Sequence, residues 1–180
     1  MSATIVSAAK ELFQKKGYSD TKIADIIKAA KVTKAEFDKC YNSKQDVCSD
    51  VLKLYKNDLK SRFKTYDEND NMRQRLSMFL DAYFEDAENI AANGCPIFNL
   101  YYDLRSVKGE LSKSVNEILE MQHQWIDEQF VIMLKSQSGT DQGDRLMSAV
   151  SGLILLAKLT NDPAMFKVQI IQLRSWIRSM

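Results

Sequence analysis

The stretch Thr21 to Lys44, TKIADIIKAAKVTKAEFDKCYNSK, constrains this chain most, because an apolar helical pattern stops, turns and restarts inside it within a few residues. Ile23, Ile26, Ile27 and Ala30 recur at three- and four-residue spacing, so they form one buried stripe of a helix that begins near Asp20 or Thr21. Thr33 followed three residues later by Glu36 is a capping box that opens a second helix, and Ser43 with Asp46 repeats the signature at once. Helix starts so close leave room for only about two turns between them, short enough to project into a DNA major groove. The pattern predicts a helix-turn-helix.

The flanks extend this reading. Ile5, Ala8, Ala9, Leu12 and Phe13 give a first helix that stops at Gly17 and roofs the motif. After Ser43, the pattern Val47, Val51, Leu54, Leu59 and Phe63 predicts a much longer helix, running to about Thr65 and leaving the N-terminal unit. Met72 to Ala91 keep helical spacing for five turns, and Asn93-Gly94-Cys95-Pro96 ends one helix and starts another. A short segment, Ile97 to Arg105, precedes a long helix over Leu111 to Met133, SQSGTDQGD at 136 to 144 is a loop, and two helices close the chain at Arg145 to Thr160 and Ala164 to Arg178. With strand signals almost absent, the expected fold is all-α with about nine helices: a three-helix domain at residues 1 to 46 and a larger helical domain at residues 47 to 180.

Composition removes several function classes. No run of eighteen apolar residues occurs and the N-terminus breaks into charge too soon for a secretory signal, so no membrane association and a cytoplasmic location are expected. Cys40, Cys48 and Cys95 are too few and too oddly spaced for a disulfide framework, and a lone histidine argues against an ordinary zinc site, so neither metal nor cofactor is expected. Without a glycine-rich phosphate loop, a paired-His motif or a nucleophile elbow, the chain does not read as an enzyme and has no catalytic residues. The net charge of +1 hides an asymmetry: residues 1 to 46 carry a net +3 and the remainder a net −2. The basic excess sits on the helix-turn-helix end.

Over AAKELFQKKGYSDTKIADIIKAAKVTKAEFDKCYNSKQDV the chain resembles the TetR family of bacterial transcriptional repressors. GCPIFNLYYDLR at 94 to 105 and GLILLAKLTNDP at 152 to 163 also look like the ligand-binding domain of one branch of that family. The resemblance implies a homodimeric, ligand-responsive repressor that binds a palindromic double-stranded DNA operator. It puts the recognition helix at about Thr33 to Cys40, with Thr33, Lys34 and Ala35 nearest the base edges. A lysine there hydrogen-bonds guanine O6 or N7, and the methyls of Thr33 and Ala35 suit thymine. Lys22 and Lys44, at the starts of the flanking helices, match family positions near the DNA backbone, and Lys39 and Tyr41 complete the set. The chain departs from the family pattern at Ala24, Lys31, Asp38 and Cys40. Asp38 matters most, because a carboxylate near phosphates repels them. It motivates the alternative of a helical sensor or protein-interaction module of the same fold with weakened DNA binding.

In the larger domain, Phe79, Tyr83, Phe98, Tyr102, Met121 and Trp125 belong to an aromatic and Met-rich set that helical spacing explains as core. The resemblance implies that they line a pocket for an apolar or aromatic effector, with Asn99 and His123 as polar anchors. The final two helices are apolar on more than one face, so the surplus face is expected to meet a second copy through residues of about 145 to 178, the alternative being a helix pair fully internal to a monomer. Cys40 and Cys48 flank the turn after the recognition helix, where inert buried thiols are favoured over a redox switch.

Overall fold

The computed structural model describes residues 1–106 and 109–180, and among them every regular element is an α-helix. In chain order these are α1 (Ser2–Lys16), α2 (Ile23–Ala30), α3 (Lys34–Asp38), α4 (Lys44–Asp67), α5 (Met72–Glu85), α6 (Ala87–Asn93), α7 (Pro96–Leu104), α8 (Glu110–Leu134), α9 (Gly139–Thr160) and α10 (Pro163–Ser179). No helix among the described residues is long and apolar enough to cross a membrane. The helices group into two compact units: Met1–Asp58 with Cys95–Leu119, and Leu59–Gly94 with Glu120–Met180. Helices α4 and α8 supply residues to both.

In the first unit α1 packs with α2 and α7, and its core holds Ile5, Ala9 and Phe13 of α1, Ile26 of α2, Phe37 of α3 and Val47 and Val51 of α4. Gly17 ends α1 at φ 87, a left-handed value natural to glycine, and its N–H bonds the Phe13 carbonyl. Helix α7 also belongs to this unit, so packing extends beyond the expected domain boundary at residue 46. Two long-range contacts hold α7 there: Asp103 Oδ2 accepts from the Tyr18 N–H at 2.6 Å, and the Asn99 amide donates to the Gln14 carbonyl at 3.1 Å.

The second unit buries Leu76, Phe79 and Leu80 of α5, Trp125, Ile126 and Phe130 of α8, Leu146, Val150 and Ile154 of α9, and Phe166, Ile170 and Ile177 of α10. Trp125 stacks on Phe63 with ring centroids 4.4 Å apart, and its indole N–H donates to Asp67 Oδ1 at 3.1 Å. Arg75 closes the same corner, reaching Asp67 and the buried Gln129, each at 3.2 Å.

Two elements differ from the sequence expectation. The Met72–Ala91 pattern divides at Asp86 (φ −91, ψ 12), whose carboxylate accepts from Asn89 at 3.2 Å. Because Ala87, Ile90 and Ala91 stay buried, the apolar stripe crosses the break without losing phase. The expected loop at 136 to 144 is helical from Gly139 onward. Its two glycines are packing surfaces: a Cβ at Gly139 would stand 2.5 Å from the Val131 backbone nitrogen, and one at Gly143 would stand 1.9 Å from Asp127 Oδ1. Bare backbone lets α9 lie against α8 there, and that packing outweighs the low helix propensity of glycine.

Candidate nucleic-acid interface

The candidate interface is built on the α2–α3 turn. Helix α2 starts at Lys22, whose N–H donates to Asp25 Oδ2 at 3.0 Å. That hydrogen bond, ahead of the effect of nearby Lys16, holds the Asp25 carboxyl below its usual range. The helix ends at Lys31 in left-handed conformation (φ 55, ψ 40), and Val32 leads into Thr33. The expected capping box is present: the Glu36 N–H donates to Thr33 Oγ1 at 3.2 Å, and the Thr33 N–H donates to Glu36 Oε2 at 2.7 Å. The second of these lowers the Glu36 carboxyl as well.

Phe37 fixes which face of α3 turns outward. Its ring is fully buried, so Thr33, Lys34, Ala35, Asp38 and Lys39 are left exposed on the other side of this five-residue helix. Lys34 does not stand alone: its ammonium pairs with Asp38 one turn later and lies 5.5 Å from the Phe37 ring centroid. Lys22 is exposed at the head of α2. Four of the seven sequence-predicted residues, Thr33, Lys34, Ala35 and Lys39, therefore share one outward face of α3 and its flanks.

Lys22 adds a fifth exposed side chain, and Tyr41 and Lys44 behave differently. Tyr41 is 5% exposed, and its hydroxyl lies 2.6 Å from Ser2 Oγ and donates to Asp50 at 3.0 Å. It ties α1 to α4 and stands apart from the exposed face of α3. Lys44 donates to the carbonyls of Tyr18 at 2.7 Å and Thr21 at 2.9 Å, and lies 4.2 Å over the Tyr18 ring. Its charge is engaged by the α1–α2 loop, so its first role is to lock that loop to the start of α4. The signal for this was the apolar company of both residues. Tyr41 follows Phe37 by one turn, and Lys44 precedes the buried pair Val47 and Cys48. Burial pushes the Cys48 thiol up to about 12, which makes it inert and fits the preference for unreactive thiols here.

The seven expected effector contacts fall in two groups. Phe98, Asn99 and Tyr102 lie on α7 in the first unit, where Tyr102 is 55% exposed with Arg105 over its ring. Phe79, Tyr83, Met121 and Trp125 belong to the second unit. There the Phe79 ring is 5.2 Å from Tyr83 and 6.0 Å from Trp125, and Tyr83 and Gln122 share a hydrogen bond through the phenol oxygen. Gln122, a buried polar side chain beside this aromatic group, was not anticipated. With Glu120, His123 and Gln124 around it in sequence, it read as one more solvated polar residue, and nothing local marked it as buried.

Residues 5–50 match the family model described as bacterial regulatory proteins, tetR family. The chain is 25% identical over 166 residues, 88% of its own length and 83% of the relative's, to an uncharacterised HTH-type transcriptional regulator in the lacX 3' region of Lactococcus lactis subsp. lactis. Among solved structures it is similar to a TetR-family regulator from Agrobacterium tumefaciens (TM-score 0.86, 16% identity, covering 97% of this chain and 95% of that one). It is also similar to a TetR regulator from Legionella pneumophila (TM-score 0.84, 20% identity, covering 98% and 94%).

Proposed function

We propose that this chain, whose residues 5–50 match the tetR family model, is a TetR-family transcriptional regulator acting as a homodimeric repressor that a small molecule releases from a palindromic operator. The observation that carries the reading is the outward face of α3, where Thr33, Lys34, Ala35 and Lys39 are exposed while Phe37 anchors the helix from behind. Lys34, oriented by Asp38, donates to guanine in the major groove, and Lys22 and Lys39 neutralise backbone phosphates. Support for self-association comes from α9 and α10, which leave Leu155, Leu156, Leu159, Val168 and Ile171 between 42% and 79% exposed. An apolar or aromatic effector binds among the aromatic side chains of the second unit, and the response travels through α4, which like α8 supplies residues to both units.

Fluorescence anisotropy against the DNA flanking its own gene, repeated over a range of salt, tests this. Specific binding that an effector weakens supports repression. Binding that is absent, or equal on unrelated DNA, leaves the helical sensor or protein-interaction reading, which the Lys34–Asp38 pair favours because it neutralises a cation on the DNA-facing surface. Asp38→Asn separates the two: on a repressor it alters affinity for one operator position, and on an interaction module it does not create operator binding.

A further inference from the structure

In the second unit, His123 and Asp127 lie one turn apart on α8 and Asp144 reaches them from α9. His123 Nε2 is 2.7 Å from Asp144 Oδ1 and 3.6 Å from Asp127 Oδ1, and the three ligand atoms lie within 4.8 Å of one another. One ring nitrogen carries at most one proton, and Asp144 is the acceptor at hydrogen-bond distance. Asp127 Oδ1 is buried with no hydrogen-bond partner, and burial, only partly offset by His123, raises its carboxyl above the ordinary range. The carboxylate sits where the side chain of residue 143 would stand, a space open only because that residue is glycine. Two carboxylates with one imidazole leave the group short of positive charge whether or not the ring is protonated.

We propose that His123, Asp127 and Asp144 bind a divalent transition-metal ion, of which Zn2+ is the type, through Nε2 and one oxygen of each carboxylate. An i,i+4 pair on one helix face plus a ligand from its neighbour gives three converging donors, and mixed nitrogen and oxygen donors suit Zn2+. A lone histidine excludes Cys2His2 and multi-histidine sites, and it does not exclude a three-ligand site completed by carboxylates. On binding, Nε2 must be free of its proton: an imidazolium releases it to solvent, a neutral ring carries its single proton on Nδ1, and the metal supplies the partner that Asp127 Oδ1 lacks. Asp144 is 66% exposed at its side chain, so the site opens to solvent on that side and the remaining positions are filled by water.

The chain has a single histidine, so its imidazole 15N resonances report this site without ambiguity. Metal-free full-length protein is titrated with Zn2+ while the His123 Nε2 resonance is followed. The expected result is a shift that saturates at one equivalent, with Asp127→Asn and Asp144→Asn each weakening binding about tenfold or more. A resonance that stays unmoved while Zn2+ is taken up elsewhere, as by the cysteines, overturns the site. So does a shift that both variants retain at wild-type affinity. Circular dichroism of each variant is expected to match the wild type, and the wild-type titration decides the matter without them.

Discussion

The ammonium of Lys44 lies among carbonyl oxygens of the α1–α2 loop, whereas that of Lys34 faces outward beside a carboxylate. Lys44→Ala is therefore expected to lower unfolding free energy by about 1.5 to 3 kcal/mol, the range for hydrogen bonds from a charged donor, as read by urea denaturation. Lys39→Ala should leave stability unchanged and reduce the salt slope of DNA binding by about one, while Lys34→Ala should relax preference at a single base pair. Asp127 makes a pH-dependent prediction. Its folded-state pKa is raised, so the stability it contributes is complete below the unfolded value and is lost as pH rises through the folded one. In chelator-treated buffer, Asp127→Asn should raise Tm relative to wild type at pH 7, and the difference should vanish towards pH 3. A difference that grows on acidification would refute the assignment. At this scale the sequence identified exposed cations by their helix-start positions, but it did not distinguish Lys44 from its neighbours. Which acceptors a flexible ammonium finds depends on a loop twenty-odd residues away.

Helix α9 shows why elements are only partly legible. Glycines 139 and 143 among polar residues read as a loop, because local propensity penalises glycine in a helix and nothing local announces that a second backbone will approach. Gly139→Ala is expected to destabilise the protein by about 1 to 3 kcal/mol net, since the new methyl meets main chain that cannot yield. Gly143→Ala meets chiefly the Asp127 side chain, with the Asp127 Cα at 3.1 Å behind it, so its cost should fall in an Asp127→Ala background without vanishing, a coupling that a double-mutant cycle measures. The division between α5 and α6 escaped for the opposite reason: the apolar phase persists across Asp86, so periodicity saw one helix. The capped start of α3 was legible to the residue, because Thr33 and Glu36 act on each other across three positions.

For the molecule as a whole, the sequence conveyed an all-helical chain with a helix-turn-helix at its head, and it counted α7 with the larger domain, whereas packing groups α7 with the N-terminal helices. The contacts that hold α7 in the first unit, Tyr18 to Asp103 and Gln14 to Asn99, span 85 residues each, beyond the reach of any local pattern. Self-association is argued from Leu155 and Leu159, 64% and 79% exposed on α9. The double substitution Leu155→Glu and Leu159→Glu should give a monomer by light scattering and, through lost bivalency, weaken operator binding on the order of 100-fold. An unchanged mass would place the dimer elsewhere. The notched contact of α9 on α8 bears on how this half of the protein can move. Helices held apart by long side chains slide by exchanging rotamers, but two backbones in direct touch have nothing to exchange. Here α8 and α9 act as a keyed joint: any rearrangement must carry them together as one piece or pull them apart altogether.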